Sequence, residues 1–75
     1  MSHKFENQYI GVNIKKQRIK RRMTQEQVVA AAVKLHRGLT KNSFKALEEG
    51  IYRPSPYRLY SVAKALGVSM EILLE

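Results

Sequence analysis

The apolar positions of this 75-residue chain recur at intervals of three and four, and nowhere alternate as a half-buried strand would. Ile10, Ile14 and Arg18 fall four apart with Ile19 beside them, and the remaining faces of that stretch are Lys and Arg. The pattern predicts a first helix over residues 9–22, with Lys20, Arg21 and Arg22 at the end where the helix dipole favours cations. The polar, aperiodic start of the chain reads as a flexible arm, residues 1–9, ahead of a single domain of residues 10–75.

Thr24 opens a second helix. Its hydroxyl is placed to accept from the Gln27 amide while the Gln27 side chain reaches back to Thr24, a capping box. This helix is expected to bury Val28, Ala31, Ala32 and Leu35, and to run to about Leu35 before Gly38, a residue free to adopt positive φ, breaks it. Thr40 caps a third helix over residues 41–49, with Phe44 and Leu47 inward, Lys41, Asn42, Lys45 and Glu49 on other faces, and Gly50 at its end. Beyond a loop over residues 51–55, Ser55 as cap and Pro56 at the first helical position start a fourth helix. It carries Leu59, Val62, Ala63 and Leu66 inward and stops at Gly67. Ser69 caps a short fifth helix with Ile72 and Leu73 on one side. The expected fold is all-α: five short helices around one core, with no internal repeat.

Charge narrows the possible partners. Fourteen Lys and Arg face six Glu and no Asp, a net charge of +8, and seven of the fourteen cations precede Met23. Such asymmetry suits a polyanion, either nucleic acid or an anionic membrane surface. The longest apolar run, Val28 to Val33, is far too short to span a bilayer. The start of the chain has no signal-peptide core, and the expected location is the cytoplasm. A chain this short buries a small core and gains from a partner subunit; with no cysteine it has no disulfide to help. Catalysis finds little support. His3 and His36 are the only histidines, they lack metal-ligand spacing, and no nucleophile–base pair or glycine-rich phosphate loop is present. The expectation is a non-enzyme without metal or cofactor.

Read in order, several segments form a set: Ile14 and Arg18 in helix one; Thr24-Gln25 opening helix two; Gly38-Leu39-Thr40 at the turn; Ser43-Phe44 and Leu47-Glu48-Glu49-Gly50 in helix three; Pro54-Ser55 in the loop; and Ala63-Lys64-Ala65-Leu66-Gly67-Val68-Ser69 before helix five. With them the chain resembles the Cro/phage-repressor (Xre-like) helix-turn-helix family, from about Ile10 to Leu74. It departs from the family pattern between Gln25 and Gly38, where it has several extra residues, so helix two or its turn is extended.

The resemblance implies a five-helix, phage-repressor-like DNA-binding domain whose helices two and three form the helix-turn-helix. It implies that Lys41, Asn42 and Ala46, with Lys45 nearby, face base edges in the major groove. Their chemistry suits this: Lys41 can donate to guanine, Asn42 can pair with adenine, and Ala46 can pack on a thymine methyl. Lys41 and Lys45 are equally suited to phosphates. Phosphate clamps are implied at Thr24 and Gln25, on the N-terminus of helix two, at Lys20, and at Arg53, Ser55 and Arg58, with Tyr52 and Tyr57 able to add hydroxyl contacts. The resemblance also implies that Arg18 pairs with Glu48, tying helix one to the reading helix.

The function implied is a sequence-specific regulator of transcription on double-stranded DNA. It would be a repressor, from a phage, mobile element or restriction-modification operon, acting as a homodimer on a palindromic operator with half-sites about 34 Å apart. No small-molecule ligand is evident. The apolar edge Val68, Met70, Ile72, Leu73 and Leu74 is available either for the dimer or to close the core. Two alternatives remain. One is the antitoxin of a toxin-antitoxin operon, although no toxin-wrapping extension is visible. The other is a basic amphipathic module on anionic membranes, for which helix one, with its narrow apolar face, is the only candidate.

Overall fold

The computed structural model describes residues 3–75, with side chains from Gln8 onward. It holds five α-helices: α1 (His3–Lys20), α2 (Gln25–Ala32), α3 (Lys41–Glu48), α4 (Pro56–Leu66) and α5 (Met70–Leu74).

Helix α1 begins at His3 rather than near Tyr9, so the stretch expected as an arm is helical from that residue. Residues 3–8 contain no Gly or Pro and include Lys, Glu and Gln, which favour helix without needing an apolar face. Met1 and Ser2 lie outside the described residues. At its other end α1 stops at Lys20, two residues earlier than expected. Arg22 takes the left-handed region, with φ 57. Its amide donates to Ile19 O at 2.9 Å and that of Met23 to Arg18 O at 3.1 Å. This paired closure normally employs glycine where Arg22 stands.

The extra residues between α2 and α3 expand the turn and do not lengthen the helix. α2 ends at Ala32, and eight residues, Val33 to Thr40, connect it to α3. The amides of Leu35 and His36 both close on Ala32 O, at 3.0 and 2.9 Å, which tightens the chain out of the helix. Leu35, expected in the core, is therefore 42% exposed, and Leu39 turns inward in its place. Gly38 lies within this connection, but the positive-φ residues among those described are Arg22, Gly50 and Gly67. The break at Ala32 thus precedes Gly38 and makes no use of the backbone freedom expected there.

The core gathers Ile10 and Ile14 of α1, Val28 and Ala32 of α2, Leu39, Phe44 and Leu47 of α3, Leu59, Val62, Ala63 and Leu66 of α4, and Leu73 of α5, where Leu39 precedes α3 itself. α2 packs on α4, while α1 lies against both α3 and α5. Two glycines admit α1 to the end of α3. A Cβ on Gly11 would stand 2.5 Å from Glu48 O and 2.6 Å from Leu47 O. Gly50 has φ +75, and a Cβ there would meet the Gln8 Cα at 2.7 Å. On its other side α1 reaches α5 through Asn13, whose Nδ2 donates to Leu73 O at 3.0 Å.

In the C-terminal edge, Leu73 is fully buried and Val68 and Met70 pack against the core. Ile72 is half-buried and Leu74 exposed. Ser69 occupies the N-cap position of α5 without a side-chain hydrogen bond to it, unlike the cap expected. Ile19, expected beside the apolar face of α1, is exposed.

Candidate nucleic-acid interface

Helix α3 separates its residues cleanly by face. Phe44, Leu47 and Glu48 are buried, Lys41, Asn42 and Lys45 are exposed, and Ala46 is half-buried at the margin. The start is set by Thr40, whose hydroxyl accepts from the Ser43 amide at 3.1 Å while its own amide donates to Ser43 Oγ at 2.9 Å. Capping of this kind fixes where the first turn, and hence Lys41 and Asn42, projects.

Glu48 anchors the other end. Arg18 Nε donates to Glu48 Oε2 at 2.6 Å and Arg18 Nη2 to Oε1 at 3.2 Å, so the fork of the guanidinium meets both carboxylate oxygens. Gln25 Nε2 donates to the same Oε1 at 3.0 Å. Arg18 Nη1 donates further to Met23 O at 2.9 Å. One carboxylate therefore collects side chains from α1 and α2 onto α3, and the pair is largely removed from water, with 14% of the Arg18 and 3% of the Glu48 side chain exposed. A buried charge of this kind is tolerable only when partnered, and here every partner is aimed at it.

Gln25, expected as a phosphate clamp, directs its amide to Glu48 and braces α2 against α3. Thr24 forms the expected capping box: its hydroxyl accepts from the Gln27 amide at 3.1 Å and its amide donates to Gln27 Oε1 at 2.8 Å. The Thr24 hydroxyl is exposed and keeps its own proton to donate. Beside it Glu26 accepts from Lys41 Nζ at 2.9 Å, a bridge with both side chains well exposed. Exposed pairs contribute at most about 1 kcal/mol, so Lys41 is guided by Glu26 yet able to leave it.

A second cluster holds the loops around the start of α4. Arg58 donates from Nε to His36 Nε2 at 3.2 Å and from Nη1 to the Tyr52 hydroxyl at 3.0 Å, and its guanidinium lies 5.6 Å from the Tyr52 ring centre. The Tyr52 hydroxyl donates to Ser43 O at 2.8 Å, inside α3. The Tyr57 hydroxyl donates to Leu35 O at 2.7 Å, and its ring meets that of His36 with centres 5.4 Å apart. Arg58, expected at a phosphate, and Tyr52 and Tyr57, able to add hydroxyl contacts there, thus make hydrogen bonds within the protein that tie both flanking loops to α3 and α4, Arg58 and Tyr52 half-buried and Tyr57 exposed.

Arg53 and Ser55 remain on the exposed part of the second loop. Ser55 caps α4, accepting from the Arg58 amide at 3.1 Å. Lys20 is exposed on the last turn of α1. The adjacent Arg21 lies beside Gly67 at the far end of α4, with a Gly67 Cβ position 3.9 Å from Arg21 Nη1.

Sequence reasoning missed several contacts. Nothing in the spacing of Gln25 and Glu48 signals the bond between them, and nothing signals that Glu26 meets Lys41. Gly11 looks like an unfavourable residue within a helix. His36 looks like a lone turn histidine until Arg58, 22 residues on, is seen to donate to it.

Among the described residues no helix is long and apolar enough to cross a membrane. Neither the curated proteins nor the solved structures give a match to this chain. A family model for helix-turn-helix domains matches residues 14–73, from the middle of α1 to α5. That span holds Arg18, both capping boxes, the exposed face of α3 and the carboxylate that braces it; the chain belongs to the Cro/C1-type helix-turn-helix family of DNA-binding regulators.

Proposed function

We propose that this protein is a transcriptional repressor that binds a palindromic operator as a homodimer, through residues 10–75. The observation that carries the proposal is the polar outer face of α3. Lys41, Asn42 and Lys45 stand exposed on a helix whose inner face is locked by Phe44, Leu47 and the Arg18–Glu48–Gln25 cluster. Groups that read base edges need such bracing, because a reader free to tilt forfeits the geometry of a bidentate contact.

In this proposal Asn42 pairs with a base edge, Lys41 and Lys45 reach bases or the phosphates beside them, and Ala46 packs at the groove floor. Thr24 and Lys20 contact the backbone on the α1–α2 side, and Arg53 and Ser55 on the α3–α4 side. Gln25 and Arg58 act by positioning α2 and the loops. The dimer forms through the part of the C-terminal edge left outside the core, the half-buried Ile72 and the exposed Leu74. Action is in the cytoplasm.

Selection of binding sites from random duplex DNA tests this directly. The expected product is a palindrome with half-sites centred about one helical turn apart, about 34–36 Å. Failure to enrich any sequence would overturn operator recognition; enrichment of a single unrepeated half-site would overturn the dimer.

A further inference from the structure

We propose that the expanded turn between α2 and α3 is an additional contact to the DNA backbone, made by Lys34 and Arg37. This rests on the DNA-binding reading of the chain and extends its surface beyond the reading helix.

Three observations support it. The connection from Val33 to Thr40 carries two cations and no acidic residue, and Lys34, Arg37 and Gly38 are all exposed. The connection is also built rather than loose. Tyr57 holds it through Leu35 O at 2.7 Å, Arg58 holds it through His36 Nε2 at 3.2 Å, the His36 and Tyr57 rings meet, and Leu39 anchors its end in the core. Finally, it leads straight into Thr40 and the first turn of α3, the part of a reading helix that enters the groove.

Placement and charge together point to phosphate as the occupant. The same Arg58 that holds His36 also holds Tyr52, which in turn bonds Ser43 O of α3. The expanded turn and the loop that begins at Tyr52 are therefore fastened to one side chain, Arg58, and through Tyr52 to the first turn of α3. A turn held at several points loses little freedom when its lysine and arginine settle on a backbone, so counterion release is retained as binding. A protein partner would more naturally use a broad apolar patch, and here the exposed large apolar residues at the turn are Leu35 and the Tyr57 ring that bonds it, flanked by the two cations.

The test compares the intact chain with the double variant Lys34→Gln/Arg37→Gln on the selected operator and on random duplex, across a range of salt concentrations. Both residues are exposed and neither takes part in the pinning bonds, so thermal melting should be unchanged. The expected result is weaker binding to both DNAs, with a salt slope shallower by about two per bound protomer. Hydroxyl-radical footprints should lose protection at one edge of each half-site. The charge-keeping exchange Lys34→Arg/Arg37→Lys should retain the slope. If the intact chain binds the operator and the double variant keeps both its slope and its footprint, the backbone contact is overturned while operator recognition stands. If the intact chain binds no duplex at all, the DNA-binding reading itself fails.

Discussion

Arg22 closes α1 in the left-handed region at φ 57, with its side chain in solvent. A non-glycine residue there costs about 1–2 kcal/mol, offset by the smaller entropy that a non-glycine residue loses on folding. Arg22→Gly should therefore stabilise the protein by up to about 1 kcal/mol, seen as a rise in Tm of about 4–8 °C; a lower Tm would show that the closure carries no strain. Gly11 presents the opposite case. Its missing Cβ makes room for backbone oxygens of α3 at 2.5 and 2.6 Å, which cannot rotate aside as a side chain would. Alanine at this position improves helix propensity by about 1 kcal/mol, yet the forced separation of α1 and α3 should outweigh it. Gly11→Ala is expected to destabilise by about 1–3 kcal/mol, and an unchanged urea midpoint would refute the close packing. Gly38, by contrast, has only ordinary contacts at its Cβ position, the nearest being His36 Nε2 at 3.6 Å, and Gly38→Ala should leave melting nearly unaltered.

At the scale of helices, one carboxylate ties α3 to both α1 and α2. Glu48 holds Arg18 and Gln25, and through Arg18 the Met23 carbonyl that opens the α1–α2 junction. Removing either charge leaves the other buried without its partner. Arg18→Ala and Glu48→Ala are each expected to cost about 3–5 kcal/mol, while replacing both with apolar residues of similar volume should recover much of the loss. Denaturant unfolding of the single and double variants checks this; a double variant as unstable as the sum of the singles would show that the two side chains act independently. The Arg18–Glu48 approach followed from a resemblance, whereas Gln25 as its third member did not. Residues 23 positions apart meet only because α2 crosses α3, and no periodicity within either helix encodes that crossing.

At the scale of the molecule, five helices form a body of 34 × 24 × 18 Å, with Lys41, Asn42 and Lys45 of α3 on its exposed surface. Two substitutions separate reading from clamping. Asn42→Ala should weaken operator binding by about 1–3 kcal/mol and relax preference at one base pair, with little change on random DNA. Arg53→Ala should weaken all duplexes alike and reduce the salt slope by about one. Titrations of both DNAs at several salt concentrations distinguish these outcomes. An Asn42 loss equal on random DNA removes it from base reading, and an Arg53 slope equal to that of the intact chain removes it from the clamp.

The order and inward faces of the helices are local properties, so the chain carries them in its own periodicity: Ile10 and Ile14, Phe44 and Leu47, Leu59 through Leu66, and the caps Thr24, Thr40 and Ser55 each depend on residues within one or two turns. The exposed face of α3 was legible for the same reason, since burying Phe44 and Leu47 obliges Lys41, Asn42 and Lys45 to point away. Tertiary structure decided the rest. The end of α2 at Ala32, the exchange of Leu35 for Leu39 in the core, and the inward turn of Gln25 and Arg58 all depend on partners far along the chain. A polar side chain satisfies its hydrogen bonds with whichever group the packing brings within reach, and propensity holds no record of that group. Gln25 and Arg58, expected at phosphates, therefore also hold α2 and the neighbouring loops in place around α3.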